Sequence, residues 1–161
     1  MKTWGQALRD GIASGSSASA TSTAALAACG MRETGSPFAP TNAVSHWWWG
    51  DRAASEDRPS ARYTLVGYAT HHVSAMLWAV LYEKWFGDKA DRQEILPALA
   101  GGAAVAGLAC FVDYKMTPHR LQPGFEMRLS RRALFLVYSA FGAGLALRGL
   151  TSSARPSRQL H

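Results

Sequence analysis

Four stretches of this chain, residues 11–30, 65–86, 95–113 and 131–149, are long and rich in Ala, Leu, Val and Gly, with acid and base confined to their ends. Each is close to the ~20 residues that a helix needs to cross a hydrocarbon core of about 30 Å. Lipid offers the backbone no hydrogen-bond partner, so such a segment satisfies itself by becoming a helix. The expected fold is therefore all-α: an integral membrane four-helix bundle, with residues 1–150 as one four-span domain. Residues 151–161 are basic and Ser-rich, the composition of a disordered tail.

The net charge of +6 invites a nucleic-acid reading, but the bases form no single patch. They gather at the ends of the apolar stretches, as Arg131 and Arg132 do before the fourth and Arg148 after it. Bases in that position contact lipid headgroups and fix topology, so membrane lipids are the expected partners and nucleic acid is not. An even number of spans leaves both termini on one side. That side packs its bases into fewer residues, which points to a multi-pass protein with both termini cytoplasmic. Leu26-Ala27-Ala28-Cys29 resembles a lipoprotein cleavage box, yet the stretch before it carries seven hydroxyl residues between Ser14 and Thr23. It is too polar for a signal peptide and is read as a retained helix.

The helices carry packing signals. Gly11, Gly15, Ser19, Thr23 and Ala27 recur every four residues, a stripe of small side chains that lets a second helix come close. Ala103 with Gly107, and Gly102 with Ala106 and Cys110, offer similar faces on the third helix, as do Ala140 and Gly144 on the fourth. These faces could also serve a homo-oligomer or a membrane-protein partner. Between Thr41 and Arg52 lies a segment containing Trp47-Trp48-Trp49. Indole is at home at the headgroup level, so a short interfacial helix after the first span, capped by Thr41 or Asn42, is expected.

Alternating passage puts Cys29, His46, His71, His72, Cys110, Asp113 and His119 on one side of the membrane. Imidazole and thiolate are ligands for Zn, Cu or Fe, and paired histidines hold haem. His46, His71, His72, His119, Cys29 and Cys110 are therefore the candidate metal or haem ligands, with Asp113 as a carboxylate orienting one of them. The plainer account leaves the histidines bonded to backbone or headgroups, the cysteines as small buried groups, and no cofactor at all. Neither an HxxxH nor a CxxC spacing is present. Adjacent histidines on a helix point about 100° apart, which separates His71 from His72. Asp113 is expected to pair with Lys115, Arg131 or Arg132, and Glu83 with Lys84.

The strings NAVSHWWWGDRAA, TLVGYATHHVSAMLWAVLYE and VDYKMTPHRLQPGFEMRLS resemble those of small bacterial inner-membrane proteins with four hydrophobic segments and no assigned activity. The resemblance spans residues 41–147 and implies the same class. The function expected is a non-enzymatic accessory or interaction protein. The alternative is a metal- or haem-binding membrane protein, redox-active through the one-sided His and Cys cluster.

Overall fold

The computed structural model describes residues 1–151, so the predicted tail lies outside the described residues apart from Thr151. Every regular element is helical. The α-helices are α1 (Trp4–Thr34), α2 (Ala39–Val44), α3 (His46–Trp49), α4 (Val66–Trp85), α5 (Gly87–Asp91), α6 (Ile95–Phe111) and α7 (Arg131–Thr151). A capping box starts α1: Thr3 Oγ1 accepts from the Gln6 amide, and the Gln6 side chain accepts from the Thr3 amide. Gly35, at φ 75°, stops it in the left-handed conformation that glycine tolerates. Two segments, Ile95–Met116 and Arg131–Thr151, are long and apolar enough to cross a membrane.

The helix α1 lies between α4 and α7, antiparallel to both. A Cβ on Gly15 would fall 2.7 Å from Met76 Cα, and one on Gly11 would fall 2.9 Å from a Val80 methyl. On the flank towards α7, a Cβ on Gly144 would come 2.6 Å from Ala18 Cα, and Thr21 Oγ1 donates to Ala140 O at 2.9 Å. The α6–α7 contact is tighter still, because Gly102 and Gly142 face each other's carbonyls. Ala106 and Gly102 make that contact, whereas Ala103 and Gly107 point outwards, with open space beside Gly107. Of the two faces expected on the third helix, only one is used. Against α4, α6 closes at one end, where Tyr82 donates to Ala98 O at 3.3 Å and Phe86 packs on Gly101.

The expected surface helix takes a different place. All six residues of α2 are buried, wedged where the chain leaves α1 and enters α4. Pro40 packs on Gly30, the Thr41 carbonyl on Gly67, and the Ala43 carbonyl on Gly124. Asn42 holds the following loop: its Nδ2 donates to Glu56 O at 2.9 Å and Arg58 O at 3.0 Å, and its Oδ1 accepts from Thr64 at 2.6 Å. Thr41 and Asn42 thus sit inside α2, which Phe38 precedes with no side-chain cap. Trp48 and Trp49 are the exposed part of the segment.

At the opposite end a buried ion cluster ties the elements together. Lys2 Nζ lies 2.5 Å from Glu83, 2.8 Å from Asp10 and 2.8 Å from Asp91, and Arg148 approaches Asp10 at 3.8 Å. Glu83 therefore pairs with Lys2, not with its neighbour Lys84, which donates to Lys2 O and lies over the Trp4 ring. Burial disfavours the Lys2 ammonium, but its bonds to three carboxylates outweigh that cost and raise its pKa. Removing one partner from a buried ionic cluster leaves charges with no counterion. Lys2→Met should cost about 3 kcal/mol, and Lys84→Met less than about 1 kcal/mol, in thermal unfolding of the detergent-solubilised protein.

Across the molecule from the cluster, Glu33 at the end of α1 accepts from both the amide and the hydroxyl of Ser130, each at 2.7 Å. Ser130 in turn caps α7. Those bonds hold the Glu33 carboxyl below its ordinary 4.5, so the clamp stabilises the fold above that pH and is lost as pH falls through the lowered value. The protection of the amides in the first turn of α7 against hydrogen exchange, relative to the intrinsic rate at each pH, should fall on acidification below about pH 4.5, and Glu33→Gln should weaken that pH dependence.

Candidate functional site

The alternation expected from the spans is present: the end of α1, the start of α4, the end of α6 and the start of α7 share one end of the molecule. The candidate ligands found there are nevertheless spread among different partners. His46 is 2 % exposed, with Nε2 2.8 Å from Gln122 O, and its ring stands edge-on to His119 at 6.5 Å between centroids. His72 stacks on Tyr68 at 5.5 Å, and its Nδ1 is buried without a partner. Cys29 and Cys110 are free thiols, and Cys29 packs against Leu26, Val44 and Phe125. Among the described residues no three His, Cys, Asp or Glu side chains form a group that could hold a metal ion.

His71 and Asp113 do share a site. Both line a cavity of about 440 Å³ between α4 and α6, with α1 and α7 behind it. Trp78, Val137, Phe125 and Phe141 supply apolar wall, and Trp47 covers the end nearest α3. The volume falls in the range of small-molecule pockets, and a few polar groups on an apolar wall are their usual lining. Among the described residues Asp113 is the only Asp, Glu, Lys or Arg on that wall.

The imidazole of His71 is oriented from α1. Its Nε2 lies 2.8 Å from Ser22 Oγ. A serine hydroxyl has one hydrogen, and Ser22 sends it to Ala18 O at 2.7 Å, one helical turn back. The shorter contact to Ala18 O assigns Ser22 as the acceptor and His71 Nε2–H as the donor. In the neutral ring this leaves Nδ1 as a lone pair. The Phe125 ring meets the imidazole edge-on, at 6.4 Å.

Asp113, one turn past the last turn of α6, accepts from the Tyr138 hydroxyl at 2.6 Å. Asp113 makes no ion pair among the described residues, so the expected pairing with Lys115, Arg131 or Arg132 does not form. The close approach of α6 to α7 explains this. It brings Tyr138 from mid-α7 to the acid, while Arg131 and Arg132 are exposed at the helix start. The Tyr138 ring meets Tyr114 edge-on at 6.2 Å between centroids, and the Tyr114 hydroxyl donates to Glu126 Oε2 at 3.4 Å.

Tyr138, Ser22 and Trp78 were not among the candidates read from the sequence. Tyr138 carried a signal: it is the one phenol within the apolar fourth stretch, and a buried phenol finds a polar partner. Comparison with protein-family models, with curated proteins and with solved structures finds no match for this chain. The likeness drawn from the three strings stands on those strings alone.

The hydrogen-bond direction at His71 is testable by nitrogen NMR of the labelled protein. The Nε2–H tautomer should dominate at neutral pH, and Ser22→Ala should release that preference. A dominant Nδ1–H form in the wild type would reverse the assignment.

Proposed function

We propose that this chain is a four-span protein of the bacterial inner membrane, both termini cytoplasmic, that binds a small hydrophobic molecule in the cavity between α4 and α6. It acts as a binding or accessory protein and not as an enzyme.

The cavity beside Asp113 is the observation that carries this reading. The membrane placement has further support. Ile12 on α1, Leu77 on α4, Leu96 and Phe111 on α6, and Phe135 on α7 are each more than half exposed, so apolar side chains clothe the outer faces of all four long helices. Indoles flank that belt. Trp48 bonds to Thr70 near the start of α4, while Trp4 and Trp85 pair at its far end. Thr70 and Trp85 are separated on α4 by about 22 Å of helix rise, roughly three quarters of a hydrocarbon core of about 30 Å.

Several of the hydroxyls that make α1 polar bond to its own backbone, as Ser14 does to Asp10 O and Ser16 to Ile12 O, which suits a helix away from water. The same bonding argues against hydrolysis. Ser22 is the hydroxyl beside an imidazole, but its hydrogen belongs to Ala18 O, so His71 has no proton to take from it.

Two measurements test the reading. The protein should stay in the membrane pellet after an alkaline carbonate wash. Native mass spectrometry from mild detergent should find a small molecule retained by the wild type and lost in Ala109→Phe, which fills the cavity. Release by carbonate, or equal retention by both proteins, would count against it.

A further inference from the structure

Following each polar hydrogen on the cavity wall to its acceptor shows what kind of ligand the cavity can take. The Ser22 hydroxyl donates to Ala18 O and His71 Nε2 to Ser22. Ser74 donates to Thr70 O at 3.0 Å, Thr70 to Val66 O at 2.9 Å, and Thr117 to Val112 O at 3.0 Å. The Trp47 indole donates to Gln122 O, and the Tyr138 phenol to Asp113. Nearly every donor is thus committed within the protein. The Trp78 indole N–H is the exception among these residues.

What remains unspent is acceptor capacity. It comprises the second oxygen of Asp113, the Nδ1 lone pair of His71, and the remaining lone pairs of Ser74 and Thr117. A further carboxylate, Glu126, stands behind Tyr114 and adds to the negative field. Asp113 has only a neutral phenol as partner, and a lone acid on an apolar wall is expensive unless something pays it back. Trp78, Phe125, Tyr138 and Phe141 line the same space, and the faces of such rings attract cations.

We propose that the ligand of this cavity is a lipophilic amine in its protonated form, its ammonium hydrogens donated to Asp113 and His71 Nδ1 and its apolar body against the aromatic wall. This rests on the binding reading above and names the ligand class for that cavity. An anionic amphiphile such as a fatty acid would face Asp113 with like charge and find a single indole donor. A neutral alcohol would satisfy one acceptor and leave the charge unpaired.

The test is a series of three probes that share one ring system and differ in the polar head: 1-naphthylmethylammonium, 1-naphthylmethanol and 1-naphthoate. Each is titrated calorimetrically against the protein in an uncharged detergent, with the detergent blank subtracted. The ammonium should bind at least about tenfold more tightly than the alcohol, since a hydrogen bond to a charged group is worth at least that factor. The naphthoate should not bind. Asp113→Asn keeps the size of the side chain and an acceptor for Tyr138. It should lower ammonium affinity to that of the alcohol while moving the alcohol by less than about threefold.

If the alcohol or the naphthoate binds as tightly as the ammonium, or Asp113→Asn leaves the order unchanged, the amine assignment fails and the binding reading stands. If no probe binds in a manner that Ala109→Phe abolishes, the cavity reading itself fails. Should Asp113→Asn not fold, the order of the three heads on the wild-type protein decides the assignment.

Discussion

The arrangement depends on how closely α1 approaches two neighbours at once. Gly11 and Gly15 let α4 come to within side-chain contact of its backbone, and Ala18 takes the backbone of α7 at Gly144. Neither approach is available to a helix with larger side chains at those positions, since the Cβ of any other residue at Gly15 would overlap Met76 Cα. With α1 filling the space between α4 and α7, and α6 locked to α7 at Gly102 and Gly142, the four helices meet as an open series. The remaining seam, α4 against α6, closes only where Tyr82 and Phe86 reach across it. Beyond that point the seam is the cavity. The small-residue stripe thus shapes the site without contributing a side chain to its chemistry, apart from Ser22 on the adjoining face.

Much of this was legible in the sequence, and the failures have identifiable causes. Four long helices form where four spans are expected, though only the segments Ile95–Met116 and Arg131–Thr151 are long and apolar enough to cross a membrane, and the α1 stripe follows from its spacing of four. The choice between the two small faces of α6 could not be read, because Gly102–Ala106 and Ala103–Gly107 carry equal local signals. The partner decides, and the partner is Gly142. The segment around Trp47-Trp48-Trp49 misled in a similar way. Its indoles are exposed at Trp48 and Trp49. They mask the preceding turn, where Asn42 spends its amide on the loop and so is buried. Ion pairs were placed by sequence neighbourhood, and tertiary contacts prevailed: Glu83 found Lys2, and Asp113 found Tyr138.

Local helix chemistry also sets the polarity of the cavity. Ser and Thr in a helix readily return their hydrogen to a carbonyl one turn back. That habit accounts for Ser22, Ser74 and Thr70, and it converts each hydroxyl from a two-way group into an acceptor. The effect passes from Ser22 to His71, whose ring must donate to Ser22 and present its lone pair elsewhere. A feature usually regarded as incidental to helix stability therefore decides which side of a hydrogen bond a ligand has to supply. The sequence shows these residue types, but only the contacts reveal that their hydrogens are spent.

The two ends of the molecule treat buried acid in opposite ways, and the contrast gives Asp113 its meaning. At one end Glu83, Asp10 and Asp91 surround Lys2, so three carboxylates share an ammonium held inside the fold. That is the ordinary solution to the cost of removing charge from water. The chain has no shortage of bases near the other end, where Lys115, Arg128, Arg131 and Arg132 all lie within twenty residues of Asp113 in sequence. Arg128 is directed instead to the loop, to Ala54 O and Asp57. Leaving Asp113 with a phenol while bases lie so near keeps its second oxygen open to the cavity. An internal base there would cancel the cavity's only charge, and an apolar residue would remove it. The arrangement retains a charge that the protein itself does not neutralise, which is the property a cationic ligand needs.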